Sequence, residues 1–470
     1  MAILLVLIVN IITHLAFFGH PTSVVFDEVH YGTFLSHYLT GSYLFDVHPP
    51  LARLLFLLFA KMIGITSPTD FSLIGTELPE SFLLLRLLPT IAGILLPFVI
   101  YGICRKLNLS KMTSAFAALL LSLENSLIVQ SRFIMADSLL LLFGFTSLLF
   151  YLMSRDSHAS QRRKLLFYIL SLTMVAAAIS IKWTAASFIL IILLMEVYFI
   201  FRKSENSSRN DHLFESILRW LGSSGMMFVI IIIIYAGTFA IHFNSLLHTG
   251  PGDAFMSPRF LKTIENSQYY VDPNIIPRGP IGKFMELNFA MLDAHTRLLD
   301  QHNYSSQWYT WPFMYKPIYY WQNANIEGQS EKQAHIYFLG NPLIYWLGSI
   351  AAAGLVIYLV SISTNGRLRS NLASSPIILF VALGYFANLL PFMGINRVMF
   401  MYHYAPSLIF SVIAIAMFTE MISSSKKRVA VMVIITIVTI ASFLFFSPLT
   451  YGLPVTENEL QARMWVKSWR

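Results

Sequence analysis

Residues 24–32 read VVFDEVHYG: two adjacent carboxylates, Asp27 and Glu28, and then His30, directly after an apolar run. A carboxylate within hydrogen-bond reach of a hydroxyl can take its proton, which is the work of a general base. Asp27 also stands where a helix should begin, so capping that helix is an equally good reading, and the two roles are compatible. DVHPPLAR follows at 46–53, with Asp46, His48 and Arg53. A residue before proline is driven extended, and proline is well suited to the first turn of a helix. Asp46 and His48 should therefore be held at fixed geometry ahead of a short helix. A metal site for a divalent cation, built from Asp27, Glu28, His30 and His48, is a further reading, although their spacing matches no familiar ligand motif. Glycoside hydrolysis needs two carboxylates about 5–9.5 Å apart. Neighbouring residues on a helix point in different directions, which argues against that use of Asp27 and Glu28.

Cations stand at the ends of later apolar runs: Arg132 in SRFIMADS (131–138), Lys182 in IKWTA (181–185) and Arg397 in GINRVMFMYHYAP (394–406). Snorkelling to a membrane surface explains any one of them taken alone. Several such clusters on one face suggest phosphate binding instead, by the planar fork of arginine and the point charge of lysine. Phosphate is a good leaving group, so cationic stabilisation can stand in for a general acid.

The elements that must position these residues are membrane helices. The chain has 470 residues, 56% hydrophobic and only 12% charged, against roughly 25% charged in soluble domains. About eleven apolar runs approach the length that spans a bilayer, at 1–19, 82–103, 112–130, 136–153, 165–181, 184–202, 222–243, 341–361, 375–392, 403–421 and 428–446. The first lacks a basic leader and a cleavage site and reads as a retained span. DEVHYGTFLSHYLTG reads as a helix that Gly41 stops, with Tyr31, Phe34, Leu35 and Tyr38 on one apolar stripe. The short run 51–64 reads as an interfacial or re-entrant helix.

The net charge is +8, and the basic residues crowd into short loops: Arg105, Lys106 and Lys111; Arg155, Arg162, Arg163 and Lys164; Arg202, Lys203, Arg209 and Arg219; Arg367 and Arg369; Lys426, Lys427 and Arg428. The positive-inside rule makes these loops cytoplasmic and argues against nucleic-acid binding. The N-terminus is then inside, and the longer segments 20–81, 244–340 and the tail 447–470 are outside. A lone Cys104 excludes an intrachain disulfide and reads as a small buried hydrophobe. Outside a cell membrane no nucleotide sugar is supplied, so a transferase there would draw on a lipid-linked donor.

The stretch VVFDEVHYGTFLSHYLTGSYLFDVHPPLARLL closely resembles the first outer loop of the protein O-mannosyltransferases. SRFIMADSLLLLF, IKWTAA, WYTWP, KPIYY and RVMFMYHYAP are similar to later motifs of that family, in the same order. The resemblance implies an all-α polytopic membrane protein of C-type membrane glycosyltransferase architecture, with interfacial helices on the outer face. Residues 1–446 would form the transferase domain. It implies inverting transfer of mannose from a dolichyl- or polyprenyl-phosphate donor to Ser or Thr of secreted or membrane proteins, met at the translocation machinery. No separate cofactor is implied. By motif position Asp27 would be the base, and Glu28 would be catalytic by orienting or binding the acceptor. His48, Arg53, Arg132, Asp137 and Lys182 would bind substrate, and Arg397, His403 and Tyr404 would lie near the lipid phosphate. Family members often carry Lys where Arg53 stands, and 244–340 is too short for the soluble β-rich domain of eukaryotic members, which suggests a bacterial-type protein in the cell membrane. A lipid-phosphate-sugar transferase acting on a glycolipid or cell-wall glycan would share this chemistry. A transporter would place its ionisable groups near the midplane, on repeated broken helices, and no such repeat is visible.

Overall fold

The structure is a computed structural model that describes residues 2–205, 210–297, 302–324, 326, 328–364 and 376–470. The chain begins with α1 (Ala2–Leu15), α2 (Glu28–Thr40), α3 (Leu51–Met62) and α4 (Glu80–Lys106). Next come α5 (Lys111–Ser122), α6 (Asn125–Ser131), α7 (Asp137–Ser154), α8 (Gln161–Ile179), α9 (Ala186–Glu205) and α10 (Asn210–Ser245). After α11 (Pro280–Arg297) come strands β1 (Ile318–Asn323) and β2 (Lys332–Phe338). The remainder is α12 (Pro342–Thr364), α13 (Pro376–Ala387), α14 (Ala405–Glu420), α15 (Ser425–Tyr451), β3 (Pro454–Thr456) and α16 (Glu457–Arg463).

Local chemistry sets many of the boundaries. Ser110, Ser160 and Ser424 accept hydrogen bonds from the third residues of α5, α8 and α15, which satisfies backbone donors that a helix start leaves open. Gly41 stops α2 with φ +71, a left-handed conformation that glycine adopts without a Cβ clash. Among the described residues eight helices are long and apolar enough to cross a membrane, or nine if α5 and α6, bent by 63°, form one broken span. Each of the eleven expected runs falls on a helix. However, α1 has only 14 residues, and α8 opens on Arg162, Arg163 and Lys164, so the number of crossings is not fixed at eleven. The α5–α6 bend is held by the buried carboxylate of Glu124, which accepts from Leu127 N, Ser126 Oγ and Asn341 N at 2.7–2.8 Å.

Two features add to the helical membrane fold that the sequence implies. The chain is not entirely helical: β1, β2 and β3 form an antiparallel sheet in that order. The segment 447–470, read as a tail, packs against the rest of the chain: α15 runs on to Tyr451, β3 pairs with β2, and the buried Trp469 donates Nε1–H to Met314 O at 2.7 Å. IYYWQN and KQAHIYF carry aromatic and branched residues that suit strands, but their third partner, β3, stands more than a hundred residues further along the chain, and no local pattern points to that pairing.

The two ends of the bundle differ in chemistry. At one end Lys106 pairs with Asp156 at 2.7 Å, while Glu420 binds both Ser110 N and Arg428. Three of the basic loops therefore share that end; Arg209, Arg367 and Arg369 lie outside the described residues. The charged residues Asp27, Asp46, Asp137, Lys182 and Arg397, singled out in the sequence, gather at the other end.

Candidate active site

Asp27 directly precedes α2 and adopts helical φ and ψ of −68° and −4°, yet its side chain makes no capping hydrogen bond. The capping reading of Asp27 therefore lacks its bond. Phe26 sets the angle of entry. Its φ is +42°, unusual for a bulky residue, and it is pinned by stacking on Tyr320 at 4.2 Å and by donating N–H to Tyr320 O at 3.2 Å. The Asp27 carboxylate is only partly exposed. Burial pushes its pKa from 3.8 to about 6, while His30 and Lys182 pull it down and Asp137 and Asp46 push it up. Glu28, one residue on, is fully buried and engaged on both oxygens. Oε1 accepts from Arg86 Nε and Ile134 N, both at 2.9 Å, and Oε2 from Arg86 Nη2 at 2.7 Å and Val25 N at 2.9 Å. It ties α2 to α4 and to the chain ahead of α7, so no lone pair faces a substrate. With Glu28 committed in this way, the four-residue metal reading does not fit; among the described residues no group of three or more His, Cys, Asp or Glu side chains converges.

Arg53 serves the DVHPP loop. It is buried on α3, pairs with Asp46 at 3.0 Å, donates to the His48 carbonyl and lies over the Phe34 ring. The loop is thereby rigid, as its prolines imply. His48 packs its ring 5.4 Å from that of His295, and burial, Lys182, His295, Arg397 and Arg53 all hold its pKa well below the usual histidine value.

Beside this loop a cavity of about 810 Å³ opens between α7, α9, α13 and the end of α11. Its walls are apolar, with Leu140, Leu141, Phe188 and Leu190, and one end carries Asp137, Lys182, His295, Arg397 and His403. Lys182 Nζ lies 2.8 and 2.9 Å from the two oxygens of Asp137 and 5.2 Å from the centre of the Tyr402 ring. Asp137 also accepts from Gln130 at 3.0 Å, and Gln130 accepts from Tyr320 Oη at 2.5 Å. This polar chain joins the cavity to the residue stacked on Phe26, beside Asp27. His403 stacks on Trp311 and Tyr402.

The structure brings together Asp137, Lys182, Arg397 and His403 on the cavity, with Asp27 and His48 close by. It does not bring Arg132 or Tyr404 there. Arg132 is buried; it donates to the carbonyls of His14, Ala16 and Phe17 and lies over the Tyr451 ring, closing the end of α1. Tyr404 is buried with its hydroxyl 3.2 Å from that of Tyr385. Its neighbour Tyr402 faces the cavity in its place. Sequence reasoning passed over Arg86, Gln130, Tyr320, His295 and Tyr402. Of these, Tyr320, in KPIYY, and Tyr402, in RVMFMYHYAP, lay inside stretches already singled out.

A family profile described as dolichyl-phosphate-mannose-protein mannosyltransferase matches residues 2–247, and one described as the C-terminal four-TMM region of protein-O-mannosyltransferase matches residues 280–469. Dolichyl-phosphate-mannose–protein mannosyltransferase 1 of Saccharomyces cerevisiae is 28% identical over 291 residues, 60% of this chain and 34% of the yeast protein. Protein O-mannosyl-transferase 1 of Danio rerio is 31% identical over 250 residues, 52% of this chain and 34% of that protein. The chain thus spans about a third of the length of the curated relatives it matches. Among solved structures, the S. cerevisiae protein O-mannosyltransferase Pmt1-Pmt2 complex bound to the sugar donor matches with a TM-score of 0.90 at 18% identity, covering 100% of this chain and 92% of that one. ArnT of Cupriavidus metallidurans bound to undecaprenyl phosphate matches at 0.53 and 13% identity, covering 96% and 74%. The Archaeoglobus fulgidus oligosaccharyltransferase in its apo form matches at 0.54 and 13%, covering 99% and 57%. At these identities the likeness to the three structures is one of fold.

Proposed function

The chain belongs to the protein O-mannosyltransferase family, and from that premise we propose that it moves mannose from a dolichyl- or polyprenyl-phosphate donor to Ser or Thr hydroxyls of polypeptides. The observation that carries this reading is the pairing of an uncapped carboxylate with a cation-tipped apolar cavity. The isoprenoid chain lies along Leu140, Leu141, Phe188 and Leu190, with its phosphate at the Lys182 and Arg397 end. Asp27 accepts the proton of the acceptor hydroxyl as that oxygen forms its bond to the anomeric carbon. The bond from that carbon to the phosphate oxygen breaks on the opposite face, which inverts the centre. The departing phosphate takes the electron pair, and Lys182 and Arg397 stabilise its charge, so no general acid is required. Asp137 fixes the position of Lys182. Glu28, Arg53 and Arg132 hold the scaffold rather than the substrate.

In this reading the basic loops face the cytoplasm, the site faces the outer side, and acceptors arrive as they leave the translocation machinery. A bacterial-type member fits the short segment 244–340. Purified protein with labelled lipid-phosphate mannose and a Ser/Thr peptide should give a peptide heavier by one hexose. Label passing only to a glycolipid would redirect the acceptor, and no transfer from any lipid-phosphate sugar would end the proposal.

A further inference from the structure

His295 stands near the end of α11 and lines the cavity. Its Nδ1 lies 2.5 Å from Nη1 of Arg397. A guanidinium has only hydrogens to offer. Nδ1 is therefore the acceptor, and the imidazole is neutral with its proton on Nε2. The Val47 backbone near the same ring raises the His295 pKa, which suits an Nε2–H on that side. The rings of His48 and Trp183 flank it at 5.4 Å each. One side chain thus touches the DVHPP loop, the IKWTA turn and the loop that carries Arg397. With Nδ1 committed to Arg397, that nitrogen is free neither to attack nor to take a proton.

The position of His295 is itself held. Asn288, about two turns earlier on the same face, accepts from Tyr235 Oη at 2.6 Å, and that oxygen accepts from Trp183 Nε1 at 2.9 Å. Lys283, Leu287 and Met291 bury the adjoining face of α11. Burial and the nearby Arg397 keep the His295 pKa below its usual value, against the opposing pull of Val47 and Asp46, so the neutral form persists through neutral pH.

We propose that His295 is a positioning residue for Arg397, holding its guanidinium at the phosphate end of the cavity before the donor arrives. This rests on the donor-lipid reading of the cavity. A free arginine side chain loses much rotamer freedom when a ligand fixes it, and a contact that fixes it beforehand removes part of that cost from binding.

The test is the affinity of the purified full chain in detergent for dolichyl phosphate, measured by calorimetric titration. His295→Leu should weaken binding about tenfold, the scale expected when one ordering contact is lost. His295→Asn, whose amide oxygen falls near the Nδ1 position, should stay within about threefold of the parent on the same argument. His295→Gln, whose amide falls near Nε2, does not present an acceptor at the Nδ1 position to hold Arg397 and should bind like the Leu variant, which it replaces if that variant does not purify. In turnover the weakened variants should raise KM for the donor and leave kcat nearly unchanged. If His295→Leu or His295→Gln binds like the parent while Arg397→Ala is weakened, this inference alone is overturned. If Arg397→Ala also binds like the parent, the donor-cavity reading falls and takes this inference with it. An Asn variant as weak as the Leu variant overturns the acceptor role of Nδ1.

Discussion

Replacing Asp27 with asparagine separates two consequences of one carboxylate. Its pKa of about 6 in the fold stands above the ordinary 3.8, chiefly because protein has displaced its water. At about 1.4 kcal/mol per pH unit, that difference is a penalty on the folded state of at most about 3 kcal/mol at neutral pH, reduced by the water the partly exposed side chain retains. The sign follows from proton counting. Between the two values the folded form keeps its proton and the unfolded form has lost it, so stability falls as pH rises from about 4 to about 6 and stays lowered above that. The amide of the variant does not titrate. Asp27→Asn should therefore unfold at a higher temperature than the parent at pH 7, and the advantage should fade towards pH 4. Transfer should move the other way, falling by about a thousandfold, within the span that general bases contribute. In the parent, the ionised fraction grows from about one-tenth at pH 5 to about nine-tenths at pH 7, so the rate should climb nearly tenfold over that interval. The assays are hexose transfer to a Ser/Thr peptide and thermal unfolding in detergent, both across pH 4–8. Undiminished transfer by the variant, or a parent profile flat from pH 5 to 7, removes Asp27 as base. A variant less stable than the parent at pH 7 refutes the buried-charge reasoning.

Other substitutions distinguish scaffold from site. Glu28→Gln leaves Arg86 buried without its charge partner, a change worth about 3–5 kcal/mol; thermal unfolding should show a large loss, with donor affinity unchanged in the protein that remains folded. Arg132→Ala should lower stability by freeing three carbonyls at the end of α1 and leave dolichyl phosphate affinity as it was, whereas Lys182→Met should weaken that affinity by about tenfold or more, the worth of a charge-assisted hydrogen bond; the reverse ranking would return Arg132 to the phosphate. For topology, Thr249→Cys and Ser157→Cys are both exposed positions, at opposite ends of the bundle, while Cys104 is buried. An impermeant thiol reagent on intact cells should label position 249 and spare 157, and the opposite result would invert the assignment of sides.

Helix positions were legible in the sequence because apolar run length and end signals are local. Of the stripe Tyr31, Phe34, Leu35 and Tyr38, all but the half-buried Phe34 are buried, and Gly41 stops α2. Which way a charged side chain turns at a helix end is not local. Arg132 and Lys182 look alike in sequence, each a cation beside an apolar run. One reaches back to carbonyls about 115 residues away, and the other faces the cavity through Asp137. Adjacent residues diverge for the same reason. Asp27 and Glu28 differ in the presence of Arg86 on α4, and Tyr402 and Tyr404 differ in the turn that opens α14. His295 carried no signal, since its meaning comes from Arg397 and Val47, which only the fold makes its neighbours.

The pairing of β2 with β3 joins Lys332 to Thr456, and α12, α13, α14 and α15 all lie between them in the chain. During synthesis, β2 emerges with one edge unclaimed and must wait while those helices enter the lipid. Its other neighbour, β1, carries Tyr320, which steadies Phe26 beside Asp27. Assembly of the end that carries the candidate site is thus coupled to the arrival of a late segment, and until then the exposed edge is an opening for mispairing with other nascent chains.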